Sequence, residues 1–177
     1  RFVADARSSI SGSGATVLQD LQLAKSNESV ELLQSITVNG TLAFVNNANH
    51  LLCVNDTLTL GPNAGDIVGA DANNYVVTNG EGALLKKQVG AAFFYPVGFD
   101  QSTYNPVALA NLGGAEDLGI RCREHVSTHA DAGTPAVQHA VDAAWDLIKP
   151  QSNGANLSIA LTWNGLDELP GFNRALC

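Results

Sequence analysis

Metal-ligating residue types crowd one stretch of this chain: Cys122, Glu124, His125, His129, Asp131 and His139 follow one another closely. His125 and His129 stand four apart, a spacing that on a helix would put both imidazoles on one face as ligands for an ion such as zinc. His139 is the third candidate ligand. The local text reads E-H-V-S-T-H and lacks the H-E-x-x-H order that sets a general base beside the metal. It also sits in Gly-, Thr- and Ala-rich sequence between strand-like strings, so the competing reading is a solvent-exposed loop.

Other candidates are weaker chemically. Asp66, Asp71, Asn73 and Asn74 offer oxygen donors that could hold calcium. They show neither EF-hand spacing nor a calcium-binding nonapeptide repeat, and loop aspartates commonly form turns. Asp167 and Glu168, near Trp163, are adjacent carboxylates that point apart. A glycosidase needs its two acids facing each other across a cleft, so the pair reads as a polar turn before Pro170-Gly171. Ser11-Gly12-Ser13-Gly14 is neither a G-x-S-x-G nucleophile elbow nor a phosphate loop. No catalytic or cofactor-binding residue is therefore expected, and the chain reads as a non-enzyme.

Trp145, Trp163, Phe93, Phe94, Tyr95 and Tyr104 would make a carbohydrate platform if they were exposed. Each lies within an apolar alternation, which favours core instead. Three cysteines are present, Cys53, Cys122 and Cys177, with no C-x-x-C. In a secreted chain the arithmetic is one disulfide and one leftover thiol, with Cys122–Cys177 the expected pair because both lie in the second half. The alternative keeps all three reduced, with Cys53 buried as a small apolar residue. Sequons stand at Asn27, Asn39, Asn55 and Asn156.

The elements that carry these residues are β-type. Of 177 residues, 45% are hydrophobic and only 15% charged, which suits a packed core and leaves little for charge-rich amphipathic helices. A net charge of −8 with nine basic residues argues against a nucleic-acid surface or an anionic membrane surface. No apolar run approaches the roughly 18–20 residues of a span, so membrane insertion is not expected. Met is absent and the chain starts at Arg1, which points to a processed product or a segment of something longer.

From Thr16 to Leu60 short strings alternate with Asn- and Gly-rich turns: Val17–Leu23, Ser29–Leu33, Ile36–Phe44, His50–Val54 and Asp56–Leu60. The phrase V-N-[GD]-T-L occurs twice, at Val38–Leu42 and Val54–Leu58, sixteen positions apart, while Asp20-Leu21 and Thr41-Leu42 repeat at about twenty-one. Repeats of this kind predict the coils of a short β-solenoid, with Leu, Val and Ile stacked inside and Asn ladders at the corners. Hairpins are the alternative, since V-N-G-T also suits a type I′ turn. Tyr75–Thr78, Asn79-Gly80 and Ala83–Leu85 read as such a hairpin.

Further strands are expected at Ala91–Pro96, Asn105–Asn111, Asp117–Glu124 and Leu157–Trp163. Between Thr134 and Lys149, local physics predicts a helix: Val137, Ala140, Val141, Ala144, Trp145 and Ile148 recur at helical spacing between Pro135 and Pro150. At period two, Val141, Ala143, Trp145 and Leu147 form a strand face instead. The expected architecture is all-β, a solenoid-like half over residues 1–88 followed by an antiparallel β-sandwich over 89–177.

The phrases YVVTNGEGALLKKQVG, FFYPVGFDQSTYNPVAL, NLGGAEDLGIRC, VDAAWDL and LSIALTWNGLDELPGFNRALC together resemble a module of large secreted surface proteins of Bacteroidota, exported by the type IX system and described as adhesin-like. The resemblance runs from about Val17 to Cys177. It implies that Val141–Leu147 is a strand, and it brings no catalytic residues. It also implies an extracellular, cell-surface location and a structural or adhesin role as a stalk or filament segment of a larger protein. The expected partners are further copies of the chain, neighbouring surface-protein domains or polysaccharide. Asp56-Thr57-Leu58 resembles the D-[ST]-apolar O-glycan acceptor of the same bacteria, with Thr57 as the glycosylated residue. A carbohydrate-binding module is the alternative function.

Overall fold

The computed structural model describes residues 1–3, 6–26, 28–46, 49–129, 132–151 and 154–176. Among them the fold is all-β, with two single-turn 3₁₀ segments and no α-helix. The first half winds a parallel β-solenoid of about four turns.

Each coil lays strands on three faces. The first coil supplies β1 (Phe2–Val3), β2 (Ser8–Ile10) and β3 (Thr16–Leu18), and the second β4 (Leu21–Ala24), β5 (Ser29–Leu32) and β6 (Ile36–Val38). The third adds β7 (Leu42–Phe44), β8 (Asn49–Leu52) and β9 (Leu58–Leu60). In the fourth, Val68 bridges Ala43 on the first face, while β10 (Asn74–Val77) and β11 (Leu84–Val89) complete the other two.

Registers define the period. Leu21 lies beside Leu42, Ser29 beside His50 and Ile36 beside Leu58, steps of twenty-one or twenty-two residues. The doubled V-N-[GD]-T-L phrase is therefore not one rung stacked on the next. Asn39-Gly40-Thr41 turns the corner from β6 to β7, whereas Asn55-Asp56-Thr57 turns the corner from β8 to β9. The two corners share a sharp turn and re-entry on a buried leucine, Leu42 or Leu58; β6 ends on the buried Val38, whereas β8 ends at Leu52 and Val54 is half-buried beyond it.

Interior columns follow from period-two alternation. On the third face Leu18, Val38 and Leu60 stack, and so do Ile36, Leu58 and Leu84. These residues are buried except Leu18, the first of its column, which is half-buried. Lys86 takes the fourth place beside Leu60; its Nζ donates to the carbonyls of Gly61 (2.8 Å), Pro62 (3.1 Å) and Lys87 (2.9 Å). Burial lowers its pKa from the ordinary lysine value.

The expected hairpin at Tyr75–Leu85 does not form. β10 and β11 belong to different sheets, and Gly80 (φ 121°) and Gly82 carry the corner between them. A Cβ on Gly82 would collide with the carbonyl of Cys53 in the coil below, so only glycine lets the backbones approach there.

The second half builds on the solenoid. It comprises β12 (Ala92–Tyr95), β13 (Val97–Gly98), β14 (Val107–Asn111), β15 (Glu116–Glu124), the hairpin strands β16 (Ser127–His129) and β17 (Ala132–Pro135), β18 (Ala143–Ile148) and β19 (Leu157–Leu161). β13 extends the second face in parallel with β10, while on the third face β15 pairs antiparallel with β11 and β18 pairs antiparallel with β15. A separate antiparallel sheet, β12-β14-β19, packs Phe93, Tyr95, Val107 and Leu109 onto the same hydrophobic core as Leu118, Ile120 and Cys122. Tyr95 Oη ties the two layers by donating to the Leu118 carbonyl at 2.8 Å. Residue 88 lies inside β11, and one core runs across it from Leu21 to Ala143.

The helix that local spacing predicts between Thr134 and Lys149 is overturned. Ala143–Ile148 is a strand in register with β15, pairing Trp145 with Cys122 and Leu147 with Ile120. Cross-strand pairing and an inward Ala143–Trp145 face outweigh the helical propensity of an alanine-rich string.

Candidate functional site

The three histidines end up in separate environments. His125 is in the left-handed region (φ 68°), with Nδ1 at 3.2 Å from both carboxylate oxygens of Asp142 and Nε2 at 3.8 Å from Glu124. His129 is exposed on β16 and contacts Thr128 Oγ1 at 3.1 Å. His139 (φ 60°) donates from Nδ1 to the Gly171 carbonyl at 2.9 Å. Among the described residues no three His, Cys, Asp or Glu side chains converge to hold a metal; Asp131 lies outside them. The helix that would have aligned His125 with His129 is a loop running into a hairpin.

Two of the calcium candidates, Asp71 and Asn74, have their side chains engaged within the fold. Asp71 Oδ1 accepts from the Asn73 backbone N–H at 2.7 Å and from Asn74 Nδ2 at 3.0 Å. Asn74 is buried, and its Oδ1 accepts from the Asn49 backbone N–H at 3.1 Å. Asn49 Oδ1 in turn accepts from the Lys25 backbone N–H at 2.9 Å. This is the predicted Asn ladder, built at the corner entering the second face rather than at Asn39 or Asn55. Lys25, nearly fully buried, extends the column by directing Nζ to the Ala6 carbonyl and to Ser8 Oγ. Asp66 borders the outer concavity of the β12-β14-β19 sheet.

Asp167 and Glu168 serve different contacts. Asp167 is buried and accepts from Asn105 Nδ2 at 2.6 Å; Glu168 accepts from Trp163 Nε1 at 2.9 Å and pairs with Arg174. The chain around them pairs with the segment leading into β18: the Asp142 N–H donates to the Asp167 carbonyl at 2.7 Å, and the Leu169 N–H to Ala140 at 2.9 Å.

The aromatic candidates do not form an exposed row. Phe93 and Tyr95 are core, and Trp145 is half-buried, its Nε1 donating to the Asn105 carbonyl at 3.0 Å. Trp163 is half-buried against Phe172, edge to face, with Arg174 over its ring. Tyr104 packs on Tyr75. Phe94 alone is exposed, at 42%, beside a shallow concavity of about 380 Å³ lined by Ala92, Ala108, Ala110, Ser158 and Ala160.

Cys53 and Cys122 are buried free thiols, and burial pushes both thiols well above the ordinary value, leaving them unreactive. Cys177 lies outside the described residues. Thr57 is half-exposed at its corner, and its backbone N–H donates to Ser35 Oγ at 3.0 Å.

One polar cluster was invisible in the sequence. The segment after β13 crosses the outer side of the second face, where Tyr75 Oη donates to the Asp100 carbonyl at 2.8 Å. Beneath it His50 is buried edge-to-face on Tyr75, ring centroids 4.5 Å apart, and its Nε2 has no hydrogen-bond partner among the described residues. Burial brings the His50 pKa down to about 4, against the upward pull of the Asp100 charge. The only hint was the matched placement of His50 and Tyr75 at successive coil positions, which becomes readable once the register is known.

No family model, no curated protein and no solved structure matches the chain.

Proposed function

We propose that the chain is a non-enzymatic structural or adhesin module of an extracellular cell-surface protein, a stalk- or fibre-forming segment whose work is to hold shape and present surfaces. The observation that carries this reading is the use made of polar side chains. Lys25, Asn49, Asn74, Ser35, Asp56 and Asp20 are spent on stacking one coil on the next, with Asp71 holding Asn74 in place: Thr41 N–H donates to Asp20 Oδ1 at 2.7 Å, and Ser35 Oγ to Asp56 Oδ1 at 3.3 Å. Rung-on-rung architecture makes a semi-rigid rod, and a rod suits a stalk. The resemblance to secreted, type IX-exported surface proteins supports the same location. Its partners are further copies or neighbouring surface-protein domains.

The test is an antibody against this segment, applied to intact cells of the source organism, with the cells then treated with protease. Labelling of unpermeabilised cells, with a protease-resistant fragment spanning the solenoid, is the expected result. Signal only after permeabilisation sinks the surface assignment.

The second reading, polysaccharide binding, draws on the exposed Phe94 beside the apolar concavity. Retention on a polysaccharide column that Phe94→Ala abolishes would favour it; flow-through of both proteins removes it.

A further inference from the structure

We infer that β19 (Leu157–Leu161) is a self-pairing edge, through which a second copy of this chain extends the β12-β14-β19 sheet antiparallel across a two-fold axis at Ile159. This inference rests on the structural-module reading and names the surface by which such a module associates.

β19 is an outer strand of its sheet, paired only with β14 among the described residues. Two bonds flank that pairing and fix its phase: the Leu112 N–H donates to Asn156 at 2.7 Å, and the Thr162 N–H to Pro106 at 3.0 Å. Hydrogen-bonded pairs alternate along an antiparallel ladder, so Ser158 and Ala160 turn their N–H and C=O groups toward β14. Leu157, Ile159 and Leu161 turn theirs outward to the free edge.

Their side chains share the inner face with Val107 and Leu109, yet Ile159 is 45% and Leu161 42% exposed. On the facing layer Leu147, in the outer strand β18, is 40% exposed. The sandwich thus opens along one side onto apolar side chains that belong to its interior.

The string L-S-I-A-L carries its own complement. Antiparallel pairing about Ile159 sets Ile159 against its copy, Leu157 against Leu161, and Ser158 against Ala160. Each large apolar residue meets another on the inner face, and each small residue meets a small one outside. The outward-turned residues are then the hydrogen-bonded pairs, so the register that matches side chains also satisfies the backbone.

Edges that must stay single carry charges or proline. β18 has Asp146, held by Arg123 at 2.8 Å, but no charged residue stands between Lys149 and Asp167. A neutral edge brings no carboxylates together in a chain of net charge −8.

Sedimentation equilibrium of the purified chain, compared with Ile159→Lys and Ile159→Cys, tests this. The chain should show a concentration-dependent dimer that strengthens with added salt, as screening relieves repulsion between two acidic copies. Ile159→Lys should weaken the dimer at least about tenfold, a shift of about 1.4 kcal/mol, with unchanged circular dichroism and melting. Opposed Cα atoms in a hydrogen-bonded pair are about 5.5 Å apart, within disulfide range, so Ile159→Cys should yield an oxidised dimer whose linked peptide maps to position 159 in both copies. That mapping keeps the inference testable if the lysine variant fails to fold. A monomer at all concentrations, an undiminished dimer in Ile159→Lys, or no 159–159 link overturns the self-pairing edge. None of these outcomes touches the surface location, which the cell-labelling experiment decides separately.

Discussion

At the level of single residues, polar side chains in this protein act mainly as fasteners between coils. The Lys25–Asn49–Asn74–Asp71 column shows how: each amide oxygen accepts from the backbone of its neighbour, so loss of one leaves a buried donor with no partner. Asn74→Ala should cost about 1–3 kcal/mol in urea unfolding, the range for orphaning a buried hydrogen-bonding group. A change below the error of the measurement would show that the ladder contributes nothing net.

His50 predicts a pH dependence of defined sign. Burial first, opposed by Asp100, holds its folded pKa at about 4, below the ordinary 6.5. Between those values the unfolded chain binds the proton and the folded chain does not. The contribution is therefore fully present above about 6.5 and is lost as pH falls toward about 4. The urea midpoint should decline over that window and flatten in His50→Phe, which keeps a ring against Tyr75. An equal decline in both proteins would assign the effect to other groups. The sequence announced that corner asparagines would stack, but not which ones, because the choice depends on coil register. It also drew attention to His125, His129 and His139, which the fold gives to separate partners, Asp142, Thr128 and the Gly171 carbonyl.

Among the strands and corners, short-range patterns located strands well and their connections poorly. The expected strings located β5, β8, β9, β12, β14, β15 and β19 to within a few residues, whereas Ile36–Phe44, read as one string, holds two strands, β6 and β7, with a corner between them. Of these, β6, β7, β9, β12 and β14 bury one side of a two-residue period. The sixteen-residue phrase misled, since a corner looks alike wherever the chain turns, whereas the twenty-one-residue step reflects the circumference of the coil. Residues 134–149 misled for another reason: Ala-rich text favours a helix locally, and only the exposed edge of β15 makes the strand preferable. The corner glycines are the least replaceable positions. Gly82→Ala should abolish cooperative folding, visible as loss of soluble protein or of a melting transition, because the added Cβ meets the Cys53 carbonyl. A well-folded Gly82→Ala would mean the coils sit further apart than described. In the third-face column, Leu58→Ala should cost about 2–5 kcal/mol, as a fully buried leucine between Ile36 and Leu84 leaves a cavity.

Across the molecule as a whole, solenoid and sandwich share one core, with strands of the third face belonging to both. Unfolding followed by Trp145 and Trp163 fluorescence, which report on the sandwich, should therefore coincide with unfolding followed by far-ultraviolet dichroism. Two separate midpoints would mean the halves are independent. The other end of the solenoid is different in kind: β1, β2 and β3 are the outer strands of their sheets, and Val3 and Val17 are exposed there. The uncharged β19 edge is a surface suited to chain-to-chain contact, in line with the proposed stalk or fibre role. Whether this fold serves as a shape-holding segment of an extracellular surface protein is best decided by electron microscopy of the natural full-length product. Elongated surface particles or fibres in which this segment forms part of the rod are the expected result. A compact, dispersed particle with this segment closing over a catalytic cleft would contradict the structural role.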